Sequence, residues 1–523
     1  MDKSNDNGMF LVKKWQKGLL GIIFSRLAII VILFCIQLLY YFGVFSIFIN
    51  FIPHILGSTL VFSAAIVIYI FNSKLDPNAK TTWLFVIMLF PLFGAAFFRY
   101  TQSNFGFRLT RRRLNDISQQ SRNSIDQNKQ TMENLKKEDP QAASIAKYIA
   151  SSGCYPVYEN SHVTYFPTGM DKFNRMMQEL EKAEKFIFME YFIIDEGLMW
   201  GKILETLVKK AREGVEVRVM YDGTCEFSTL PANYPERLRK LGIKCKMFAP
   251  MTPFISTHYN YRDHRKILVV DGNVAFTGGV NLADEYINHI EKHGYWKDTA
   301  IMLRGECVKS FTLMFLQLWS INEQFETNGY ITATKPLPQG NGGYVIPYGD
   351  SPFDDEKVGK MVYTHILDTA QEYVDIMSPY LILDGRLEQT IKFAAKRGVK
   401  VRLILPGIPD KKTPYALAKT HYASLLASGV EIYEFTPGFV HAKVFVSDDK
   451  KAVVGTINLD YRSLYHHFEC AAFMYKNQCI SDIKQDFENT LAQCRKVTMQ
   501  TVKKESVFTK LLGAIIKPFA PLM

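Results

Sequence analysis

Residues 264–281 read HRKILVVDGNVAFTGGVN, and residues 441–458 read HAKVFVSDDKKAVVGTIN. Both follow H-x-K-x-x-x-x-D, then six residues, then Gly-(Gly/Thr)-x-Asn, and each named position returns 177 residues later. A pattern written twice in register constrains the fold strongly, because both copies need equivalent frameworks to present the same side chains. A lone H-x-K is common on surface strands; two complete copies are not.

The surroundings of each copy repeat as well. KFIFMEYFII is a strand, LMWGKILETLVKKAREG an amphipathic helix ending at Gly214, and VEVRVMYDG a second strand. The order returns in YVDIMSPYLIL, in LEQTIKFAAKRG ending at Gly398, and in VKVRLILPG. A helix closed by glycine and followed by a β-branched run marks the boundary between a crossover helix and its parallel strand. The pattern predicts α/β domains in tandem: a first over 151–333, a Pro/Gly/Asn linker over 334–343 and a second over 344–495. The helix-end glycines stand 184 residues apart against 177 for the motifs, so the first half carries extra residues, MTPFISTHYNYRD, before its histidine. That insertion is a candidate gating loop.

In an extended strand alternate side chains share a face, so His264 points with Lys266, and His441 with Lys443. Gly278 and Gly455 are expected to let the backbone pass close to a ligand, presenting Asn281 and Asn458 as neutral donors. One motif therefore supplies an imidazole, an ammonium and an amide, and no metal-ligand set. That inventory suits a phosphoryl group, whose oxygens the cation and amide hold while histidine attacks or protonates. Displacing an alcohol from a phosphodiester needs two histidines, a nucleophile on phosphorus and an acid for the leaving oxygen. Pairing the halves about a pseudo-twofold brings both to one site.

A histidine used this way needs an acceptor on its second nitrogen to fix the tautomer. Candidates lie on the next strand of each half, Asp298 after His264 and Glu469 after His441. Asp271 and Asp448 close the motif strands and read as ties for the turn rather than acid–base groups. His466 and His467, beside Glu469, are candidates to line the site; the other histidines read as exposed or structural.

Apolar residues make up 48% of the chain and charged residues 22%, but they are unevenly placed. After a basic tail (1–26) come apolar runs at 27–49, 55–71 and 82–98, read as transmembrane helices since about 20 apolar residues cross a bilayer. A signal peptide with a buried hairpin is the alternative, disfavoured by the length of the first run. Arg99, Arg108 and Arg111–Arg113 after the last run argue for a cytoplasmic C-terminal side, whereas Lys13, Lys14, Lys17 and Arg26 precede the first. Three crossings would put these clusters on opposite faces. Residues 99–150 read as a polar helical connector, more spacer than domain. The C-terminal segment 496–523 carries Val507, Phe508, Leu511, Leu512, Ile515 and Ile516 at helical spacing among lysines, the pattern of an interfacial amphipathic helix. A net charge of +11 points to an anionic partner, acidic lipid or nucleic acid, and the apolar runs favour lipid. The eight cysteines are scattered without C-x-x-C pairs, which excludes a structural zinc cluster of the usual spacing.

These motifs resemble the phospholipase D superfamily, and within it the bacterial cardiolipin synthases. RDHRKILVVDGNVAFTGGVNLADEY and VHAKVFVSDDKKAVVGTINLDYRSLYHHFE look like their two catalytic segments, and DPNAKTTWLFVIMLFPLFGAAFF like their membrane hairpin. The resemblance runs from about residue 55 to the C-terminus; the departure is the additional apolar run at 27–49. It implies a bilobed pair of phospholipase D-like domains with His264, Lys266, Asp271, His441, Lys443 and Asp448 as the catalytic set. It implies a transesterification without metal or other cofactor, through a phosphatidyl-histidine, with His264 as nucleophile and His441 as acid and base. The implied substrate is phosphatidylglycerol, the products cardiolipin and glycerol, and the setting the cell membrane with anionic phospholipids as partners and no nucleic acid. The alternative is a hydrolase or transphosphatidylase of the same superfamily acting on other phospholipids.

Overall fold

Each motif folds into a hairpin of buried strands whose turn its aspartate begins. Asp271 and Gly272 take φ of 52° and 65°, and Asp448 and Asp449 both take 53°. Asp and Gly are the residues that tolerate this left-handed region, so DG and DD fall where the chain must reverse. The computed structural model describes residue 39 and residues 61–102, 108–250 and 261–522, apart from a few positions between 328 and 339. The tail 1–26, the expected span 27–49 apart from residue 39, the start of the span 55–71 and most of the expected gating loop lie outside the described residues.

The first half contributes β1 (His162–Phe166), β2 (Phe186–Tyr191), β3 (Glu216–Asp222), β4 (Lys244–Phe248), β5 (Arg262–Asp263), β6 (Lys266–Val270), β7 (Val274–Gly278), β8 (Tyr295–Lys297) and β9 (Ala300–Arg304). The second contributes β10 (Tyr344–Asp350), β11 (Tyr373–Met377), β12 (Lys400–Pro406), β13 (Glu431–Phe435), β14 (Gly438–Val440), β15 (Val444–Ser447), β16 (Lys451–Gly455), β17 (His467–Tyr475) and β18 (Cys494–Lys496). The sheets run β1-β9-β7-β6-β2-β3-β4 and β10-β17-β16-β15-β11-β12-β13-β18, one order repeated with a strand added. In each, the strands around the crossover helix are parallel and the motif hairpin is antiparallel, so both sheets are mixed.

Strand periodicity sorts the apolar side chains into three layers. Ile267 and Val269 of β6 face Val444 and Val446 of β15 in a core common to both halves, together with the helix Val308–Trp319, which is apolar nearly all round. Leu268 and Phe276 face outward onto the helices of the first half, and Phe445 and Val453 onto those of the second. The sheets thus pack face to face.

Two short strands cross between the halves. Parallel pairing joins β5 to β17 and β14 to β8. Each lies just before a motif histidine.

The remaining segments differ from expectation in two places. The apolar run 82–98 is not one span: Phe90 is extended before Pro91, and the chain folds into helices Pro77–Leu89 and Pro91–Gln102. A residue before proline avoids the helical region and proline has no N–H to continue the ladder, so the break is where the sequence demands it. Trp83 packs between the rings of Phe97 and Phe98 at 5.5 and 5.2 Å, and Gly94 lets the helices close on Ile87. No helix among the described residues is long and apolar enough to cross a membrane. The stretch 99–150 is more than a spacer, since Leu135, Ile145 and Ile149 sit in the core of the second half. At the C-terminus, helix Val507–Ile516 seats Gly513 against Ala416 and leaves Val507, Phe508, Leu511 and Ile515 exposed.

Candidate active site

Registration of the crossing strands decides what each histidine meets. In the β5–β17 ladder Arg262 faces His467 and Asp263 faces Phe468; the N–H of His264 then donates to the Phe468 carbonyl at 2.9 Å. The next step of the ladder sets His264 beside Glu469, whose two carboxylate oxygens both lie 2.9 Å from Nδ1. The β14–β8 ladder repeats the device. Val440 faces Lys297, the N–H of His441 donates to the Lys297 carbonyl at 2.7 Å, and Asp298 Oδ2 stands 2.6 Å from His441 Nδ1. Expectation had Asp298 serving His264 and Glu469 serving His441; the pairs are exchanged across the halves. The reason is that β5 and β14 each add to the opposite half.

Both imidazoles and both carboxylates are buried. Burial drives the His264–Glu469 pair toward its neutral forms, the imidazole well below its usual range and the carboxyl well above. Burial and the Lys443 charge hold His441 down at about 4, while the charge of Asp298 favours its proton. Lys266 donates to the His264 carbonyl at 2.6 Å, and Lys443 to the His441 carbonyl. Burial pushes the ammonium of Lys266 down to about 8 and that of Lys443 to about 7, with Glu469 and Asp298 as the leading opposing charges respectively. Thr277, just before Gly278, has its hydroxyl 3.4 Å from Cys470 Sγ, next to Glu469, so the two motifs meet across the halves.

Other expected site residues have other partners. Asn281 accepts from the Ile193 N–H at 3.1 Å and donates to the Tyr286 hydroxyl at 2.7 Å. Asn458 Oδ1 is buried without a hydrogen-bond partner among the described residues. Asp271 accepts the backbone N–H groups of Glu184, Lys185 and Phe186, and Asp448 those of Gln371, Glu372 and Tyr373. These contacts are at the far end of each motif strand from the histidines, so the structure does not bring either aspartate to the site. Gly278, Gly279 and Gly455 face the neighbouring strand rather than a ligand: a Cβ on Gly279 would lie 2.0 Å from Asp298 Oδ1, and one on Gly455 2.3 Å from Ala471 Cβ. They allow the carboxylate-bearing segments to close in.

The chain matches the family described as cardiolipin synthase, PLD-like domain, over residues 176–319 and 363–491. It belongs to that family. A cardiolipin synthase of Alkalihalophilus pseudofirmus is 31% identical over 89% of this chain and 93% of its own, and a Streptococcus mutans protein is 57% identical over 87% and 99%. The crystal structure of phosphatidylserine synthase from Haemophilus influenzae superposes on 69% of this chain and 93% of its own with a TM-score of 0.55 at 14% identity, a likeness of fold.

Around the site of this PLD-like family member are residues that sequence reasoning did not single out. Phe192 packs edge-on to His264 at 4.9 Å, and Tyr286 and Trp296 lie 5.3 and 5.5 Å from His441. They wall the imidazoles from water. Lys297 of the first half is paired to Asp486 of the second at 2.8 Å, and Tyr165 donates to the same carboxylate. That network locks the β8–β14 crossing. Nothing marks it in the sequence, where Asp486 reads as one more helical acid. His264, His467 and Glu469 place ligand atoms within 4.8 Å of one another, the only such group among the described residues. Lys266 lies close enough for its charge to act on both Glu469 and His467, so the cluster faces a cation and suits an anion better than a metal.

Proposed function

We propose that this chain is a membrane-bound cardiolipin synthase that transfers a phosphatidyl group from one phosphatidylglycerol to another, using His264 and His441. The observation that carries the reading is the exchanged pair of histidine–carboxylate bonds, His264 with Glu469 and His441 with Asp298, each flanked by a buried lysine. Neutral His264 has the free lone pair that a nucleophile needs; His441 is held down at about 4 without substrate, and the charge of Asp298, joined by that of a bound phosphodiester, opposes burial and Lys443 to give it the proton an acid requires. His264 Nε2 attacks phosphorus and the bond to glycerol oxygen breaks, with His441 donating the proton to that oxygen. A hydroxyl of a second phosphatidylglycerol then gives its proton to His441 and bonds to phosphorus as the P–N bond breaks. Lys266, Lys443 and the amide of Asn458 hold the non-bridging oxygens as charge develops on them. One phosphodiester replaces another, so no nucleotide is required.

The membrane setting follows from both substrates being lipids. The apolar runs of the first hundred residues anchor the chain, the basic residues that follow place the catalytic halves on the cytoplasmic side, and the exposed face of Val507–Ile516 rests on anionic lipid. Purified protein incubated with phosphatidylglycerol and a chelator tests the reading: cardiolipin and glycerol are expected in equal amounts. Phosphatidic acid in place of cardiolipin would favour the hydrolase instead.

A further inference from the structure

A transferase that joins two phosphatidylglycerols differs from a hydrolase in one physical respect: its acceptor carries a phosphate of its own. In the product, six bonds of about 1.5 Å connect the phosphorus atoms through glycerol, which spaces them roughly 6–7 Å apart. A site built for this acceptor needs a second anion locus at that distance from the first.

His467 stands beside His264, within reach of an acceptor phosphate spaced in this way. Its ring centre is 5.5 Å from that of His264, it is buried, and neither ring nitrogen has a hydrogen-bond partner among the described residues. An imidazole desolvated with both nitrogens unsatisfied is costly unless a ligand completes it. Arg262, its partner in the β5–β17 ladder, gives Nη1 to Asp222 and to the Ala249 carbonyl but keeps Nη2 buried without a partner. Arg462 opens the turn Arg462–His466 and is exposed, and no hydrogen bond or ion pair to a described residue holds its guanidinium. The charges of Arg462, Lys266 and Arg262 all act on His467. Asp222 offsets part of the Arg262 charge, and the Glu469 carboxyl, 3.8 Å from Nδ1 of His467, is driven toward its neutral form by burial.

Arg462 also lines a cavity of about 280 Å³ between the second half and the N-terminal helical hairpin, walled by Trp83 and Phe97 on one side and Tyr465 and His466 on the other. Its lining also carries Lys74, Arg111 and Lys357 against Asp76, Asp354 and Asp355, which leaves Arg462 as the excess charge, and an amphiphile lodged there would keep its chains by the apolar hairpin and its headgroup by Arg462.

Resting on the transferase reading above, we propose that Arg262, His467 and Arg462 form a second anion subsite beside His264 that holds the phosphate of the acceptor phosphatidylglycerol. The acceptor hydroxyl is thereby presented to the phosphatidyl-histidine, its proton passing to His441 as the new P–O bond forms and the P–N bond breaks.

The test compares two acceptors in mixed micelles of phosphatidylglycerol: the lipid itself and isotope-labelled free glycerol, which lacks a phosphate. In Arg462→Gln and His467→Asn the ratio of cardiolipin formation to glycerol exchange is expected to fall about tenfold, with the acceptor KM rising. Arg462→Lys should restore most of the ratio, and Arg462 is exposed, so its variants keep the fold. Equal loss with both acceptors overturns the subsite while leaving the transferase reading intact. An unchanged ratio, with His467→Asn abolishing inhibition by zinc, overturns it in favour of a metal site. Wild-type protein that yields phosphatidic acid and no cardiolipin overturns the transferase reading, and the subsite with it.

Discussion

His264 takes its orienting carboxylate from Glu469, 205 residues further along the chain and on the opposite sheet. His441 takes Asp298 from 143 residues back. Each half therefore completes the other, and neither supplies the carboxylate of its own motif histidine. The strands that enforce this, β5 and β14, are two and three residues long and owe their position to the partner ladder.

The two carboxylates are expected to differ under substitution. Burial holds Glu469 toward its protonated form, so Glu469→Gln replaces one neutral group with another and should lower kcat about tenfold. Asp298 instead contributes charge to the proton on His441, and Asp298→Asn removes it; a loss of about 10²- to 10³-fold is expected. Steady-state rates at matched folding, judged by thermal unfolding, decide the matter. A larger loss in the Glu469 variant would reverse the assignment of roles.

Separating nucleophile from acid needs the intermediate. With a phosphatidyl ester of an acidic leaving group such as p-nitrophenol, which departs without a proton, His441→Ala should accumulate a phosphatidyl-enzyme, because attack by His264 survives while release to a hydroxyl stalls; labelled ester, an alkaline detergent quench and gel detection would reveal it. His264→Ala should show no adduct. Label appearing on the His264 variant and not on the other would mean that His441 is the nucleophile.

The sequence carries the repeated motif and the strand–helix order openly, because both are local: period-two apolar runs, helix-ending glycines and a fixed spacing. The exchange of carboxylates is not local. It depends on pairing Arg262–Asp263 with His467–Phe468, and pairings of so few residues leave no periodicity to read. Hydropathy likewise runs smoothly through 82–98, while the backbone obeys Pro91. The glycines of the motif were legible as places of close approach, but whether a ligand or a strand approaches is settled only by tertiary structure; here the strand bearing Ala471 and the segment bearing Asp298 do so.

The pH profile should be lopsided. Lys443 at about 7 and Lys266 at about 8 carry charge in the free enzyme at low pH and lose it as pH rises through those values, so kcat/KM is expected to decline from pH about 7 upward. On the acid side activity is lost when the nucleophile His264 takes a proton, which burial holds well below the usual imidazole range, whereas a proton on the acid His441, at about 4, favours the first step, so no acid limb is expected near pH 6.5. A guanidinium does not titrate in this range, so Lys443→Arg should move the alkaline limb up to that of Lys266, about 8, at a lower overall rate. An acid limb near pH 6.5 with a level alkaline side would contradict this assignment of charge.

Substituting Asp271 should cost stability and spare chemistry. Its carboxylate accepts three backbone N–H groups at the end of β2 and is buried, so Asp271→Asn is expected to lose about 2 kcal/mol. Asp448 makes the equivalent contacts in a more open setting, and about 1 kcal/mol is expected there. Urea midpoints measure both. A kcat reduced more than about tenfold in a folded Asp271→Asn protein would place this group in the reaction after all.

The C-terminal helix offers a test of how the catalytic halves meet lipid. Val507, Phe508, Leu511 and Ile515 are 79%, 70%, 57% and 58% exposed, on a helix whose other face is seated through Gly513 on Ala416. A rigidly docked helix with an apolar outer face loses favourable transfer energy in water, about 1.5–3 kcal/mol per large side chain, and recovers it at a bilayer surface. The double change Phe508→Asp with Leu511→Asp should therefore raise KM for phosphatidylglycerol in vesicles about tenfold or more, since apolar area is removed and like charge is brought to an anionic surface. In detergent micelles, where the lipid comes to the protein, the same variant should differ from wild type by less than about threefold. An environment-sensitive fluorophore at Phe508→Cys should shift to the blue on adding vesicles, and one at Lys503→Cys should not. Equal activity on vesicles and micelles, with no spectral shift at either position, would mean that this face does not meet the bilayer.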